Sequence, residues 1–202
     1  MWNSQVIIML LEGIRDTLYM TLASTLFGYI IGLPMGIVLT VTDKDGIRPN
    51  AAVYKVLDVI SNLLRSIPFI ILLIVLIPFT RFVVGRSYGS TATIVPLTIA
   101  AAPYIARMVE SSLKEVDAGV IEAARSMGAS DFQIVTKVML VEARTSLIVG
   151  ATISLGTILG YSAMAGTVGG GGLGDIAIRY GYTRWQTDIM VVTVVLLVIL
   201  FQ

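Results

Sequence analysis

Three stretches of this chain hold residue types that could do chemistry. Gly169-Gly170-Gly171-Gly172-Leu173-Gly174 satisfies the G-x-G-x-x-G form of a dinucleotide loop. That form signals phosphate binding only between a buried strand and a helix, and here it follows a long apolar run. Gly172-Leu173-Gly174-Asp175 has the G-x-G-D form of an intramembrane aspartyl protease, whose chemistry needs a second aspartate sharing a proton with the first. The candidates, Asp16 and Asp58, sit at the ends of predicted helices in unrelated contexts. The chain has no histidine and no cysteine, which removes imidazole bases, thiol nucleophiles, disulfides and Cys or His metal sites together. No G-x-x-x-x-G-K-[ST] loop occurs, so if ATP drives this protein, another chain hydrolyses it. The third stretch, Val120 to Gly128, reads Val-Ile-Glu-Ala-Ala-Arg-Ser-Met-Gly between two apolar runs. It is a docking element by composition, with no catalytic residue and no cofactor expected.

The elements that position it follow from composition. The chain is 56% hydrophobic and 13% charged, against roughly 25% charged in soluble domains, and its mean hydropathy is +0.88. This is an all-α integral membrane protein, because a lipid-exposed backbone must satisfy its own hydrogen bonds and helices do so locally. A net charge of +1 without a basic run leaves no electrostatic footprint for nucleic acid. The first eleven residues are uncharged, no Lys or Arg precedes them and no small-residue cleavage site comes after them; an interfacial helix is expected there, not a signal peptide.

Thr17 to Thr42, Ser87 to Ala106 and Thr145 to Thr167 are charge-free and each reaches the roughly twenty residues that a bilayer requires. A fourth span is expected from about Val56 to Phe82, beginning before Arg65. A fifth starts near Trp185 and runs off the end at Gln202, as if the chain were truncated or ended unusually. Five spans with an external N-terminus put Asp43 to Lys55 and Arg107 to Arg144 on one side. Lys44, Lys55, Lys114 and Lys137 all fall there, which makes that side cytoplasmic by the positive-inside rule.

Gly28, Gly32 and Gly36 repeat at four-residue spacing, as do Gly156 and Gly160. Small residues on one helix face allow close backbone approach where hydrophobicity cannot drive association; ordinary intrachain packing, a dimer seam and a pore lining are all compatible with this. Pro34, Pro68, Pro78, Pro96 and Pro103 lie in or beside spans, where each removes a donor and is expected to bend its helix.

Between the spans, Asp117 can cap a helix starting at Ala118, and Gly128 stands where a left-handed residue would stop it. Ser130 and Gln133 have capping-box spacing for a second helix through Val138. The predicted element, about residues 117–141 of a single 1–202 transmembrane domain, is a cytoplasmic helix-turn-helix. Its first helix would be about 15 Å long, which suits a groove on another subunit; a passive interfacial helix is the alternative.

Glu122-Ala123-Ala124, three residues, then Gly128 resembles the EAA loop of permease subunits in ATP-binding-cassette importers. Val138-Met139-Leu140 matches the continuation of that pattern, and Val141 stands where its proline belongs, so the helix is free to continue. The resemblance implies that Glu122, Ala123, Ala124 and Gly128 couple the permease to a separate ATPase. Arg65-Ser66-Ile67-Pro68-Phe69-Ile70, Pro96-Leu97-Thr98, Ala101 to Glu110, and Gly160-Tyr161-Ser162-Ala163-Met164 with the glycine-rich turn are similar to bacterial methionine-uptake permeases. That likeness implies a homodimer in the bacterial inner membrane, two ATP-binding subunits and an external substrate-binding protein. Tyr161, Ser162 and Met164 are the candidate substrate path or gate. Arg65 is a helix-end anchor or a cytoplasmic gate element, and Arg107 and Glu110 are expected to pair at i, i+3. A permease for another small amino acid remains an alternative. A stand-alone secondary transporter would need intramembrane acids and internal repeats, which the clear spans lack.

Overall fold

The computed structural model describes residues 4–202. Met1, Trp2 and Asn3, part of the expected interfacial segment, lie outside the described residues. The rest of that segment is not a separate helix: α1 runs unbroken over Ser4–Thr42, with Pro34 inside it. A short loop leads to α2 (Ala51–Ser66), α3 (Phe69–Val75) and α4 (Ile77–Val84). Next come α5 (Ser90–Lys114), α6 (Ala118–Ser126), α7 (Asp131–Gln133), a π-helical turn (Ile134–Met139) and α8 (Leu140–Glu142). The chain ends with α9 (Arg144–Ala165), a 3₁₀ turn (Gly166–Val168), α10 (Gly172–Ile176), a second π-helical turn (Ala177–Tyr182) and α11 (Thr187–Phe201). No strand occurs among the described residues.

Three helical stretches, Ser4–Thr42, Ser90–Lys114 and Arg144–Tyr182, are long and apolar enough to cross a membrane. The fourth expected span is a broken stretch. It begins before Arg65, at Ala51, but breaks at Ile67 (φ −81, ψ 124) and Pro68 (φ −55, ψ 133). A residue before proline is driven out of the helical region by the pyrrolidine Cδ, and proline itself cannot donate to the preceding turn. By contrast Pro34, Pro96 and Pro103 sit inside continuous helices, so these prolines do not break their spans. The last apolar helix has 15 residues, about 22 Å at 1.5 Å per residue.

The chain divides into two compact units, one of Met1–Leu26, Pro68–Ile99 and Leu155–Gln202, the other of Phe27–Ile67 and Ala100–Ser154. In the second unit the glycine repeat of α1 lies against α5. A Cβ at Gly28 would stand 3.1 Å from the Ala101 Cβ, one at Gly32 2.6 Å from the Ala102 carbonyl oxygen, and one at Gly36 2.5 Å from that of Ala106. The repeat therefore serves packing within the chain, and these positions exclude any side chain. Beyond Thr42 the loop closes on the end of α1: Arg48 N–H donates to the Val41 carbonyl (3.0 Å) and Asn50 N–H to that of Thr42 (2.9 Å). These bonds satisfy carbonyls that a helix end otherwise leaves open. The Asn50 side chain then accepts from Val53 N–H (3.2 Å) and starts α2.

The first unit packs Leu10 of α1, Leu173 and Ile176 of α10 and Ile189 of α11 into one buried cluster. Thr17 fixes the glycine-rich turn to α1: its hydroxyl accepts from Leu173 N–H (2.9 Å) and donates to the Gly13 carbonyl (2.8 Å). Gly156 faces the Phe201 ring, whereas a Cβ at Gly160 would meet nothing within 4 Å. This contrast sets a test: Gly36→Ala should lower stability by about 1–3 kcal/mol through overpacking, or about 2–4 °C in Tm per kcal/mol. Gly160→Ala should change little in the same thermal scan of detergent-solubilised protein, and equal Tm values for the two variants would contradict the packing described.

Candidate functional site

The charged segment folds as two capped helices joined by a tight turn. Asp117 accepts from Gly119 N–H (2.8 Å) at the start of α6. At its end Gly128 takes φ +82, with Gly128 N–H donating to the Arg125 carbonyl (2.9 Å) and Ala129 N–H to that of Ala124 (3.1 Å). This pair of bonds around a left-handed glycine is the Schellman motif. Ser130 opens α7 with a complete capping box: its Oγ accepts from Gln133 N–H, and the Gln133 side chain accepts from Ser130 N–H (2.9 Å). With valine rather than proline at 141, nothing breaks the chain at that point, and helical backbone continues past Val138 to Glu142.

The coupling residues expected from sequence divide in two. Ala124 is buried and seats α6 on its own unit, while Glu122, Ala123 and Gly128 are exposed. Sequence reasoning missed the apolar groups beside them. Met127 is 83% and Phe132 77% exposed, one on each side of the Gly128 turn. Large apolar side chains at full exposure in a polar, non-spanning segment were the available signal, since such groups mark interaction surfaces when they occur together.

Behind α6 lies a cleft of about 450 Å³ bordered by Asp43, Ile47, Lys114, Ile121, Glu122 and Arg125. Ion pairs run along its unit. Lys114 Nζ bonds Asp43 (2.7 Å) and Glu110 (2.8 Å), Arg107 bonds Glu110 (2.7 Å) as the spacing predicted, and Arg107 also bonds Asp58. Glu110 is only 4% exposed, and two cations, Arg107 and Lys114, face it, the pairing that a buried carboxylate calls for. The hydrogen bond from Lys114 holds the Asp43 carboxyl below the usual carboxylate range, with burial opposing it and the Lys44 backbone N–H assisting. Through these bonds the loop after α1, α2 and the end of α5 are held together.

In the first unit Tyr161 stacks on Phe69 with ring centroids 4.6 Å apart and planes 4° from parallel. Ser162 is buried and donates to the Leu159 carbonyl (2.7 Å), so its hydroxyl is committed within its own helix. Met164 is 46% exposed. Arg65 belongs to the other unit, exposed in the last turn of α2, and its guanidinium makes no hydrogen bond or ion pair with the described residues. The glycine-rich turn after Met164 is not a loose hinge. Thr93 Oγ1 donates to the Gly170 carbonyl (3.1 Å), Gly89 N–H to that of Gly169 (2.9 Å), and a Cβ at Gly170 would stand 2.7 Å from the Ala165 carbonyl oxygen. No cluster of three potential metal ligands occurs among the described residues.

A helical, apolar chain with a capped, charged segment between two of its apolar helices has the makings of a transport subunit. Residues 17–201 match the family described as the binding-protein-dependent transport system inner membrane component, and the chain belongs to that family. It is 48% identical over 194 residues, covering 96% of this chain and 86% of the relative, to the probable D-methionine transport system permease protein MetI of Vibrio cholerae. It is 54% identical over 158 residues, 78% of this chain and 73% of the relative, to the D-methionine transport system permease protein MetI of Escherichia coli K12. A chain in a solved inward-facing structure of the MetNI methionine ABC transporter superposes with a TM-score of 0.97 at 52% identity, covering 99% of this chain and 93% of that one. An amino acid ABC transporter solved with histidines shares the fold, with a TM-score of 0.78 at 20% identity over 98% of this chain and 89% of that one.

The Gly128 turn can be tested directly. A Cβ there meets nothing within 4 Å, so the cost of Gly128→Val is conformational, about 1–3 kcal/mol for a β-branched residue at positive φ. Gly128→Asn, which tolerates that region, should retain most ATP-driven uptake in vesicles, whereas the valine variant should lose it; equal uptake by the two would contradict this role for the turn.

Proposed function

We propose that this chain is one of two identical membrane-spanning subunits of an ATP-driven methionine importer. Residues 117–141 are the cytoplasmic seat of a separate ATPase in this reading, and one observation carries it. A twice-capped element holds Glu122, Ala123, Met127 and Phe132 exposed, in a chain whose sequence carries no G-x-x-x-x-G-K-[ST] loop. Two ATP-binding subunits supply hydrolysis, and an external binding protein delivers the substrate. Methionine as cargo rests on the extended identity to proteins named as D-methionine permeases.

The chain works as a single permease domain in the bacterial inner membrane. It crosses five times, through α1, the broken α2 to α4 stretch, α5, α9 and α11, with the N-terminus external; the confinement of all four lysines to one predicted side supports that orientation. Alternating access opens a path between the two copies as the ATPase closes and opens. Tyr161 and Met164 border the external gate, and buried Ser162 holds the helix that carries them. Polarisable, adaptable contacts suit a thioether substrate. Arg65, at the end of α2 and without an ion-pair partner among the described residues, is the cytoplasmic gate element.

The purified complex in lipid vesicles, assayed for ATP turnover and methionine accumulation together, tests this. Met164→Ala should widen the constriction and reduce methionine carried per ATP, while a cysteine at Lys44 should resist an impermeant thiol reagent in intact cells. Wild-type values for transport and turnover would make Met164 a lipid-facing residue, and external labelling at Lys44 would invert the orientation.

A further inference from the structure

Arg125 stands in the last turn of α6 with its side chain 55% exposed, and its guanidinium reaches across to a loop of its own unit. Its Nη2 donates to the backbone carbonyl of Ile47 at 2.7 Å, across 78 residues of sequence, and the same nitrogen lies 4.0 Å from Asp131 in the first turn of α7. The guanidinium therefore touches three segments: the docking helix, the helix after its turn and the loop Asp43–Asn50. That loop is not slack. Its backbone closes on Val41 and Thr42 at the end of α1 through Arg48 and Asn50, its Asn50 side chain caps α2, and Asp43 is tied to Lys114 of α5. A displacement of Ile47 must move the end of α1 and the start of α2 with it.

We infer that Arg125 is a positioning residue for energy coupling: it ties the docking helix to the α1–α2 loop through the Ile47 carbonyl, so that movement imposed on α6 is passed to α1 and α2 as well as along the chain. The covalent route from α6 leads only into α5 on one side and α7 on the other. Without the Arg125 bond the cleft between α6 and the loop could open and absorb the movement. A planar guanidinium suits the task because its fixed fork of donors can hold a carbonyl and face a carboxylate at once, which a lysine ammonium on a flexible stem does less well.

The inference rests on the reading of α6 as the ATPase seat, and the experiment separates the two. In the reconstituted complex Arg125→Ala should still assemble with its ATPase and hydrolyse ATP, but methionine carried per ATP should fall roughly fivefold or more, the lower range of a site-to-site coupling. Arg125→Lys should recover part of the loss. A wild-type ratio in Arg125→Ala overturns the inference. Loss of the ATPase from that variant overturns it too, since Arg125 would then be a docking contact and the ATPase seat itself would stand. Because the chain has no cysteine, a second variant, Ile47→Cys with Arg125→Cys, supplies a covalent substitute. Bridging the pair with a short bis-maleimide should raise transport per ATP over the unbridged form. A further fall on bridging would mean that this contact must break during the cycle, and no change would mean that it carries nothing; either result overturns the inference.

Discussion

The close approach of α1 to α5 is the constraint on which the second unit depends. In lipid no hydrophobic force separates one apolar helix face from another, so association relies on dispersion contacts and on bringing backbones near each other. Gly28, Gly32 and Gly36 remove the side chains that would keep α1 at the usual distance, and α5 answers with Ala101, Ala102 and Ala106. The register set there fixes the contacts about two turns further on. It brings Asp43 within 2.7 Å of Lys114 and places the loop after α1 where the Arg125 guanidinium can reach it. A shift of one residue along the seam would separate these pairs and expose Glu110 without its cations.

The docking element was largely legible in the sequence because its signals are local. Asp117, Gly128, Ser130 and Gln133 each act within a few residues of themselves, and the predicted cap, left-handed turn and capping box all occur. The break at Pro68 was harder to read. Proline in a span is compatible with a bend, a break or neither, and what decides is whether neighbouring backbone can absorb the lost bond; Pro34 and Pro103 are absorbed, Pro68 is not. The glycine-rich turn was hard to read for a related reason. Glycine permits flexibility and close packing alike, and the partners that choose between them, Thr17, Thr93 and Gly89, are distant in sequence. Met127 and Phe132 escaped notice because a lone apolar residue carries no periodicity.

In the proposed importer a partner chain supplies the hydrolysis, and this chain contributes a preference for one arrangement of helices over another. A partner then shifts that preference by as much as its affinity differs between the two. Rigid elements are what such a transmission needs, and the capped α6, the ion pairs around Glu110 and the hydrogen-bonded loop after α1 supply them. Exposed Met127 and Phe132 are the apolar groups that the proposed seat would present to its partner.

Photo-crosslinking from the docking element tests this account most directly. A benzophenone side chain at Met127 or Phe132, in the complex reconstituted with its ATPase, should attach to the ATPase chain, while the same group at Tyr88, exposed at 68% in the other unit, should not. Crosslinks from Met127 and Phe132 to lipid alone, with ATP-driven methionine uptake intact, would contradict the assignment of residues 117–141 as the seat of coupling.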